Sequence, residues 1–185
     1  MNKISDFIIK KSTKKLLLIS TIIIVFFMAV ILPKVSIYTE EVTGTSNSPD
    51  TNLIYSSDDL FDIAETYGEE GRDVYILLRF TFDVIWPIVY FVFLASLMGF
   101  LIQKLSIKSK HKYLILLPVF SIIFDYLENI TSVIVMYKYP TKVLFFASVA
   151  PAMTMLKWIL LGVSFITIIV LLVKLMIDKY YKRIS

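Results

Sequence analysis

Residues 16–32 read LLLISTIIIVFFMAVIL and carry no charged side chain. A helix of about 20 apolar residues crosses the hydrocarbon core of a bilayer. Three further apolar runs follow, at residues 76–102, 113–136 and 146–173. Backbone groups inside the bilayer have no water to bond, so such runs form helices rather than open strands. The sequence therefore predicts an all-α membrane protein, a four-transmembrane-helix bundle.

The composition agrees with a membrane protein and argues against several other classes. Of the 185 residues, 57% are apolar, and the mean hydropathy of +0.76 is well above that of a soluble domain. The net charge of +4 comes from lysines that flank the apolar runs, so nucleic acid is not an expected partner. Cysteine is absent and His111 is the only histidine. This argues against disulfides, thiolate chemistry and a multi-histidine metal site.

The distribution of lysine and arginine predicts the orientation in the membrane. Segments rich in these residues stay in the cytoplasm. The rich segments contain Lys3, Lys10, Lys11, Lys14 and Lys15, then Lys104, Lys108, Lys110 and Lys112, and finally Lys174, Lys179, Lys182 and Arg183. The poor segments contain Lys34 and Arg72, and Lys138 and Lys142. The pattern predicts a multi-pass protein of the cell membrane, embedded in the lipid bilayer with both termini in the cytoplasm.

These observations divide the chain into alternating spans and loops. A basic cytoplasmic leader (1–15) precedes TM1 (16–32), an extracytoplasmic acidic loop (33–75), TM2 (76–102), a cytoplasmic loop (103–112), TM3 (113–136), an outer loop (137–145), TM4 (146–173) and a cytoplasmic tail (174–185). The leader with TM1 also resembles a signal peptide. Its apolar run is longer than usual for one and no small-x-small cleavage site follows, so a retained anchor is predicted.

The acidic loop, residues 33–75, contains two different kinds of sequence. Residues 43–52 are rich in Ser, Thr, Asn, Gly and Pro, which predicts an irregular linker. A short amphipathic helix is expected next, because Ser56 or Ser57 can cap its start and Gly68 can end it. Its apolar face consists of Leu60, Ile63, Ala64 and Tyr67. We expect this face to lie on the outer interface or over the mouth of the bundle, and the acidic loop to contact a protein partner.

A set of polar residues lies within or beside the predicted spans, where a charge costs about 2.5–3.5 kcal/mol. The set consists of Arg72, Arg79, Asp83, Asp125, Glu128, Asn129 and Lys157. At about 100° per residue, its members form one polar stripe on each of TM2, TM3 and TM4. A rise of about 1.5 Å per residue places them between the midplane and the outer surface. The stripes therefore predict one outward-facing charged pocket.

Two interpretations of this set remain open. In the first it is a structural ion-pair network, since three acidic and three basic residues cancel, with Arg79 on Asp83 and Lys157 on Asp125 or Glu128. In the second it binds a proton, a cation or a polar ligand. Oxygen ligands for a hard cation are present, but the nearby Arg79 and Lys157 argue against a metal. No catalytic residue and no cofactor are predicted.

The same residues resemble a pattern in uncharacterised small bacterial four-helix membrane proteins. The resemblance consists of Gly71-Arg72 before TM2, Asp83 followed by Pro87, and Asp125-x-x-Glu128-Asn129 in TM3. It covers roughly the last 120 residues. It implies the same four-span topology and no known activity.

Three functional hypotheses follow from the sequence. The first is a non-enzymatic module that recognises a ligand or partner through the charged pocket or the acidic loop. The second is a channel or proton- or cation-coupled transporter, which requires a homo-oligomer because four helices rarely enclose a pathway alone. The third is a lipid-active membrane enzyme with Asp125 or Glu128 as general base. The sequence leans away from an enzyme, because no recognisable nucleophile or metal set accompanies these residues.

Overall fold

The computed structural model describes residues 2–184, and within them the side chains of residues 3–108 and 111–182. This part of the chain is helical and contains no strand. The helices are α1 (Asn2–Lys11), α2 (Lys14–Thr43), α3 (Ser57–Thr66), α4 (Gly68–Phe80), α5 (Phe82–Lys104), α6 (Leu117–Lys138) and α7 (Leu144–Ile184). Four helices, α2, α5, α6 with its preceding 3-10 turn, and α7, are long and apolar enough to span a membrane. The predictions of an all-helical chain with four apolar spans are confirmed.

Two of the differences between the observed helices and the predicted segments concern α2 and predicted TM2. Helix α2 continues past Pro33 to Thr43, because residues Phe27–Ile31 form a wider π-helical turn that accommodates the missing N–H of the proline. Predicted TM2 is divided at Thr81, which separates α4 from α5. There the Thr81 hydroxyl donates to the Leu77 carbonyl at 2.8 Å and replaces the regular backbone bond. The polar stripe predicted for TM2 therefore lies on two helices, with Arg72 and Arg79 on α4 and Asp83 on α5.

The apolar core lies mainly around α5. Leu94, Met98 and Leu101 of α5 are almost fully buried in a cluster with side chains of α1, α2 and α7. The end of α1 docks at Gly99, where an added Cβ would lie 2.7 Å from the Cβ of Ser12. The predicted basic leader is therefore largely helix α1, attached to the end of the bundle at which α5 stops.

A second core joins the segment between α2 and α4 to the opposite end of the bundle. Helix α3 begins with a capping box in which the Ser56 hydroxyl accepts from the Asp59 N–H at 3.2 Å and the Asp59 carboxylate accepts from the Ser56 N–H at 2.7 Å. The hydrogen bonds that the Asp59 carboxylate accepts from the Ser56 N–H and from the Ser56 hydroxyl, the latter at 2.8 Å, lower the pKa of Asp59. The buried face of α3 packs on α6 and α7, and this cluster consists of Tyr55, Leu60, Phe61, Ile63, Ala64, Tyr67, Tyr75, Val135, Met136, Ala147 and Ala150. We refer to residues 44–67 as the outer cap.

Candidate functional site

Six charged side chains meet where the outer cap covers the bundle. We define the charge cluster as Asp50, Arg79, Asp83, Asp125, Glu128 and Lys157, with Asn129 bonded to it. Asp50 comes from the cap, Arg79 from α4, Asp83 from α5, Asp125 and Glu128 from α6, and Lys157 from α7. Five elements that are distant in the sequence therefore contribute to one polar centre.

Arg79 connects α4 to α5 and α6. Its Nη1 donates to the Asp83 carboxylate at 2.7 Å and to the Asn129 side-chain oxygen at 3.2 Å, and its guanidinium lies 4.3 Å from the centre of the Tyr75 ring. The Asn129 amide lies 3.5 Å from the Asp83 carbonyl. Pro87 leaves that carbonyl without its helical donor, so Asn129 compensates for the proline.

Lys157 is the basic centre on the α6 side of the cluster. Its side chain is 5% exposed and its Nζ lies 3.9 Å from Asp125 Oδ1; it also forms an ion pair with Glu128. Asp125 accepts a further hydrogen bond from the Tyr90 hydroxyl at 2.9 Å. Because an isolated buried charge is costly, Lys157, Asp125 and Glu128 stabilise one another in their charged forms.

Asp50 was not among the residues predicted from the sequence, yet it lies between the two cations. One carboxylate oxygen pairs with Arg79, and the other lies 3.2 Å from Lys157 Nζ. The Trp158 indole N–H donates to the Asp50 carbonyl at 3.1 Å. Burial alone would raise the pKa of Asp50, but the charges of Arg79 and Lys157 outweigh it and hold that pKa well below its ordinary value. Asp50 is therefore an ionised acid with two cationic partners.

Residues 43–52, predicted to be an irregular linker, are thus attached to the bundle. Thr43 and Pro49 are buried, and Tyr55 just beyond the segment shares a hydrogen bond with Thr154 of α7 at 3.0 Å. Burial, the largest cause, raises the pKa of Tyr55 to about 12, so its hydroxyl remains protonated. No periodic pattern marks Asp50, because a residue in an irregular segment has no helical phase. Only its position between two apolar helices could have suggested it.

Arg72 is the predicted site residue that lies apart from the charge cluster. Its Nη1 donates to the Ala64 carbonyl near the end of α3 at 2.8 Å, and its guanidinium lies 4.5 Å from the centre of the Tyr139 ring. A cation near the C-terminus of a helix interacts favourably with the free carbonyls there. Arg72 therefore stabilises the outer cap, whereas the other six predicted residues come together.

Because Asp50 belongs to the charge cluster and Arg72 does not, the charge balance of the cluster differs from the predicted one. The sequence suggested three acids against three bases. The charge cluster instead contains four carboxyls and two cations, a formal charge of 2 − 4 = −2. Four buried side-chain atoms of the described residues have no hydrogen-bond partner: Arg79 Nε, both carboxylate oxygens of Glu128, and Ser132 Oγ. Glu128 nevertheless forms its ion pair with Lys157. A buried centre with excess negative charge takes up protons or cations. Among the described residues no group of three or more His, Cys, Asp or Glu is arranged to hold a metal ion.

The space beside the charge cluster is taken up by the chain itself. The Asp50 carboxylate lies between Arg79 and Lys157, where the sequence predicted an open pocket. A separate concavity of about 290 Å³ lies on the surface of the outer cap and is lined by Thr45, Asn47, Asp59, Asp62, Ile63 and Thr66. Asp50 is also more exposed than the two cations that it contacts, with 27% of its side chain exposed against 6% for Arg79 and 5% for Lys157.

Comparison with known proteins gives no assignment. No protein-family model matches the chain, and no curated protein or solved structure is similar to it. The function therefore has to be argued from the charges and contacts of the chain itself.

Proposed function

We propose that this protein is a non-enzymatic recognition protein of the cell membrane whose outer cap binds a basic ligand or partner. In this proposal the four apolar helices form the transmembrane bundle and α3 is the amphipathic helix that covers its outer mouth. Both termini lie in the cytoplasm. This orientation is supported by the lysines near the ends of α1, α5 and α7 together with the positive-inside rule.

The observation that carries the proposal is the acidic surface of the cap side. Every acidic residue of the segment 33–75 except Asp50 is exposed: Glu40, Glu41, Asp58, Asp59, Asp62, Glu65, Glu69, Glu70 and Asp73. The apolar face of α3 is buried against α6 and α7. The position of the helix is therefore fixed, and its acidic side chains face away from the bundle. Negative potential of this kind attracts and orients positively charged partners.

The enzyme hypothesis gains no support from the same contacts. Asp125 and Glu128, the candidate general bases, are both buried against Lys157. A general base has to reach a proton on the substrate, and these two carboxyls face their own ion-pair partner.

We predict that neutralising the exposed face of α3 weakens binding of a basic probe. The variant Asp58→Asn, Asp62→Asn, Glu65→Gln keeps the buried face of α3 and the capping box intact. In nanodiscs of zwitterionic lipid at low salt, its affinity for a fluorescent decalysine peptide should fall about tenfold. At 0.5 M NaCl the difference should largely disappear, because the Debye length shortens to roughly 4 Å.

The matched control is Glu40→Gln, Glu41→Gln, which removes exposed acids from the end of α2 instead of α3. It should weaken peptide binding by about twofold at most, because in the proposal the peptide binds to α3 and these two acids lie outside that helix. Equal affinity of the α3 variant and the unmodified protein would overturn the proposal that the cap is the binding surface.

A second candidate function, a proton-coupled transporter or channel, is favoured by one specific observation. The charge cluster has a formal charge of −2, and Glu128 Oε1 has no hydrogen-bond partner although Glu128 is only 1% exposed. Protonatable carboxyls inside a membrane helix bundle are typical of proton pathways. This candidate also requires a homo-oligomer, since a pathway has to be enclosed by more than these four helices.

For this candidate we expect Asp125→Asn to abolish proton flux into liposomes that contain a pH-sensitive dye. The substitution keeps the size of the side chain and removes one of the three carboxyls that face Lys157. The control Asp178→Asn changes an exposed acid near the end of α7 and should leave flux unchanged. Absence of flux in the unmodified protein under every imposed gradient would eliminate the transporter.

A further inference from the structure

We propose that Arg79 and Lys157 form a carboxylate-binding site in which Asp50 is a tethered, displaceable occupant. A small organic acid from the outer side would take the same place when the segment between α2 and α3 lifts. This inference goes beyond the proposed function, because it concerns a site beneath the cap and a ligand of the opposite charge.

The contacts of Asp50 are those of a bound carboxylate. Its two oxygens are shared between cations on two different helices: one pairs with the Arg79 guanidinium and the other lies 3.2 Å from Lys157 Nζ. The Trp158 indole N–H holds the adjoining backbone carbonyl at 3.1 Å. Charge-assisted bonds of this kind recognise a carboxylate by both its charge and its two oxygens.

The two cations are held in place by groups other than Asp50. Arg79 is fixed by Asp83 at 2.7 Å, by Asn129 at 3.2 Å and by the face of Tyr75. Lys157 is fixed by Glu128 and Asp125. Departure of Asp50 therefore leaves both cations in position, and a preorganised site loses less free energy when it binds a ligand.

Asp50 is also the member of the charge cluster nearest to the outside. Its side chain is 27% exposed, against 6% for Arg79 and 5% for Lys157. The segment that carries it follows the end of α2 at Gly44, which has a left-handed φ of 69°, and ends at the Ser56 cap of α3. Leu53 and Ile54 in this segment are 57% and 90% exposed. Lifting the segment would expose Pro49 and Tyr55, which are buried, and break the hydrogen bond between Tyr55 and Thr154, but it would leave both flanking helices intact.

The charge cluster does not need Asp50 for neutrality. Asp83, Asp125 and Glu128 already supply three carboxyls for the two cations, and Asp50 adds a fourth. Its local ion pairs are therefore opposed by repulsion from the neighbouring acids. A free carboxylate has the same local attraction and does not require the cap segment to be ordered. It loses translational entropy that the tethered Asp50 does not lose, so exchange is expected at high carboxylate concentration.

The first test measures whether a free carboxylate refills the site. The variant Asp50→Ala vacates the carboxylate position, and its thermal unfolding in detergent is followed while sodium formate replaces sodium chloride at constant ionic strength. Asp50→Ala should have a lower Tm than the unmodified protein and should regain at least about half of the loss at saturating formate. Asp58→Ala, which removes an exposed acid of the cap, should show neither effect. Equal gains in Asp50→Ala and the unmodified protein, or no gain in a folded Asp50→Ala, would overturn the inference.

The second test leaves Asp50 in place and therefore does not depend on the folding of that variant. The chain has no cysteine, so Thr154→Cys places one thiol beneath the cap, at a buried position next to Tyr55. Formate should compete with Asp50, open the cap and raise the rate of labelling by a membrane-impermeant maleimide about tenfold, in a saturable way that chloride does not reproduce. Ser46→Cys, exposed on the cap, should label fast in every condition, and Ser164→Cys, buried on α7 away from the cap, should stay protected. A labelling rate of Thr154→Cys that is the same in formate and chloride would contradict displacement of Asp50.

Discussion

Replacing Lys157 by Met should destabilise the protein by about 3–5 kcal/mol, because removing one partner of a buried ion pair leaves the other charges uncompensated. Lys157 is 4% exposed and faces Asp50, Asp125 and Glu128. Loss of its positive charge would change the formal charge of the cluster from −2 to −3. The loss of unfolding free energy can be measured by equilibrium unfolding in mixed detergent micelles, with far-ultraviolet circular dichroism as the readout.

The double variant Lys157→Met, Glu128→Gln tests whether this loss reflects the proposed contact. Because Glu128 is 1% exposed and paired with Lys157, removing both charges should recover part of the destabilisation, with a coupling free energy of about 1–3 kcal/mol. Purely additive losses would mean that the two side chains do not interact in the folded protein, and the assignment of the charge cluster would then be wrong.

Arg79→Gln should also cost about 3–5 kcal/mol, since the guanidinium bonds acids from the cap and α5 and an amide from α6 at the same time. Arg79→Lys should restore only a minor part, because a lysine cannot bond several partners in the planar arrangement of a guanidinium. Arg79→Gln should in addition expose the cap. The lone thiol of Thr154→Cys should therefore become accessible to an impermeant maleimide in that background.

Arg72 provides the matched control for Arg79. Both arginines lie on α4, two helical turns apart, but Arg72 contacts a backbone carbonyl and an aromatic ring instead of buried acids. A charge-assisted hydrogen bond and a cation–π contact together contribute roughly 2–4 kcal/mol. Because Arg72 is only partly buried, we expect Arg72→Gln to cost less, about 1–2 kcal/mol. A loss as large as that of Arg79→Gln would contradict the separation of the cap from the charge cluster.

Most of the site could be predicted because its members lie on regular helices. Asp125 and Asn129 are four residues apart on α6, which places them on one face, and the high cost of a charge inside a membrane indicates that Lys157 needs partners there. Helical phase also explains why Arg72 was grouped with residues from which it lies apart. It has the same angular position as Arg79 but lies about 10 Å farther along α4, at the height of the cap. The angular position of a residue around the helix axis therefore predicted which face it lies on. Its position along the axis decided which neighbouring side chains it could contact.

Hydropathy and charge in the sequence alone determined the helical class of this protein, the number of apolar helices long enough to span a membrane, and the polar stripes predicted on TM2, TM3 and TM4. These properties depend on neighbouring residues and on the helical repeat, so they can be read locally. Only the tertiary structure decided that the cap folds onto the bundle and that Asp50 reaches Lys157, a contact between residues 107 positions apart. An irregular segment has no periodicity from which its direction could be inferred. Its position depends on which buried cations and apolar side chains the packed helices present to it.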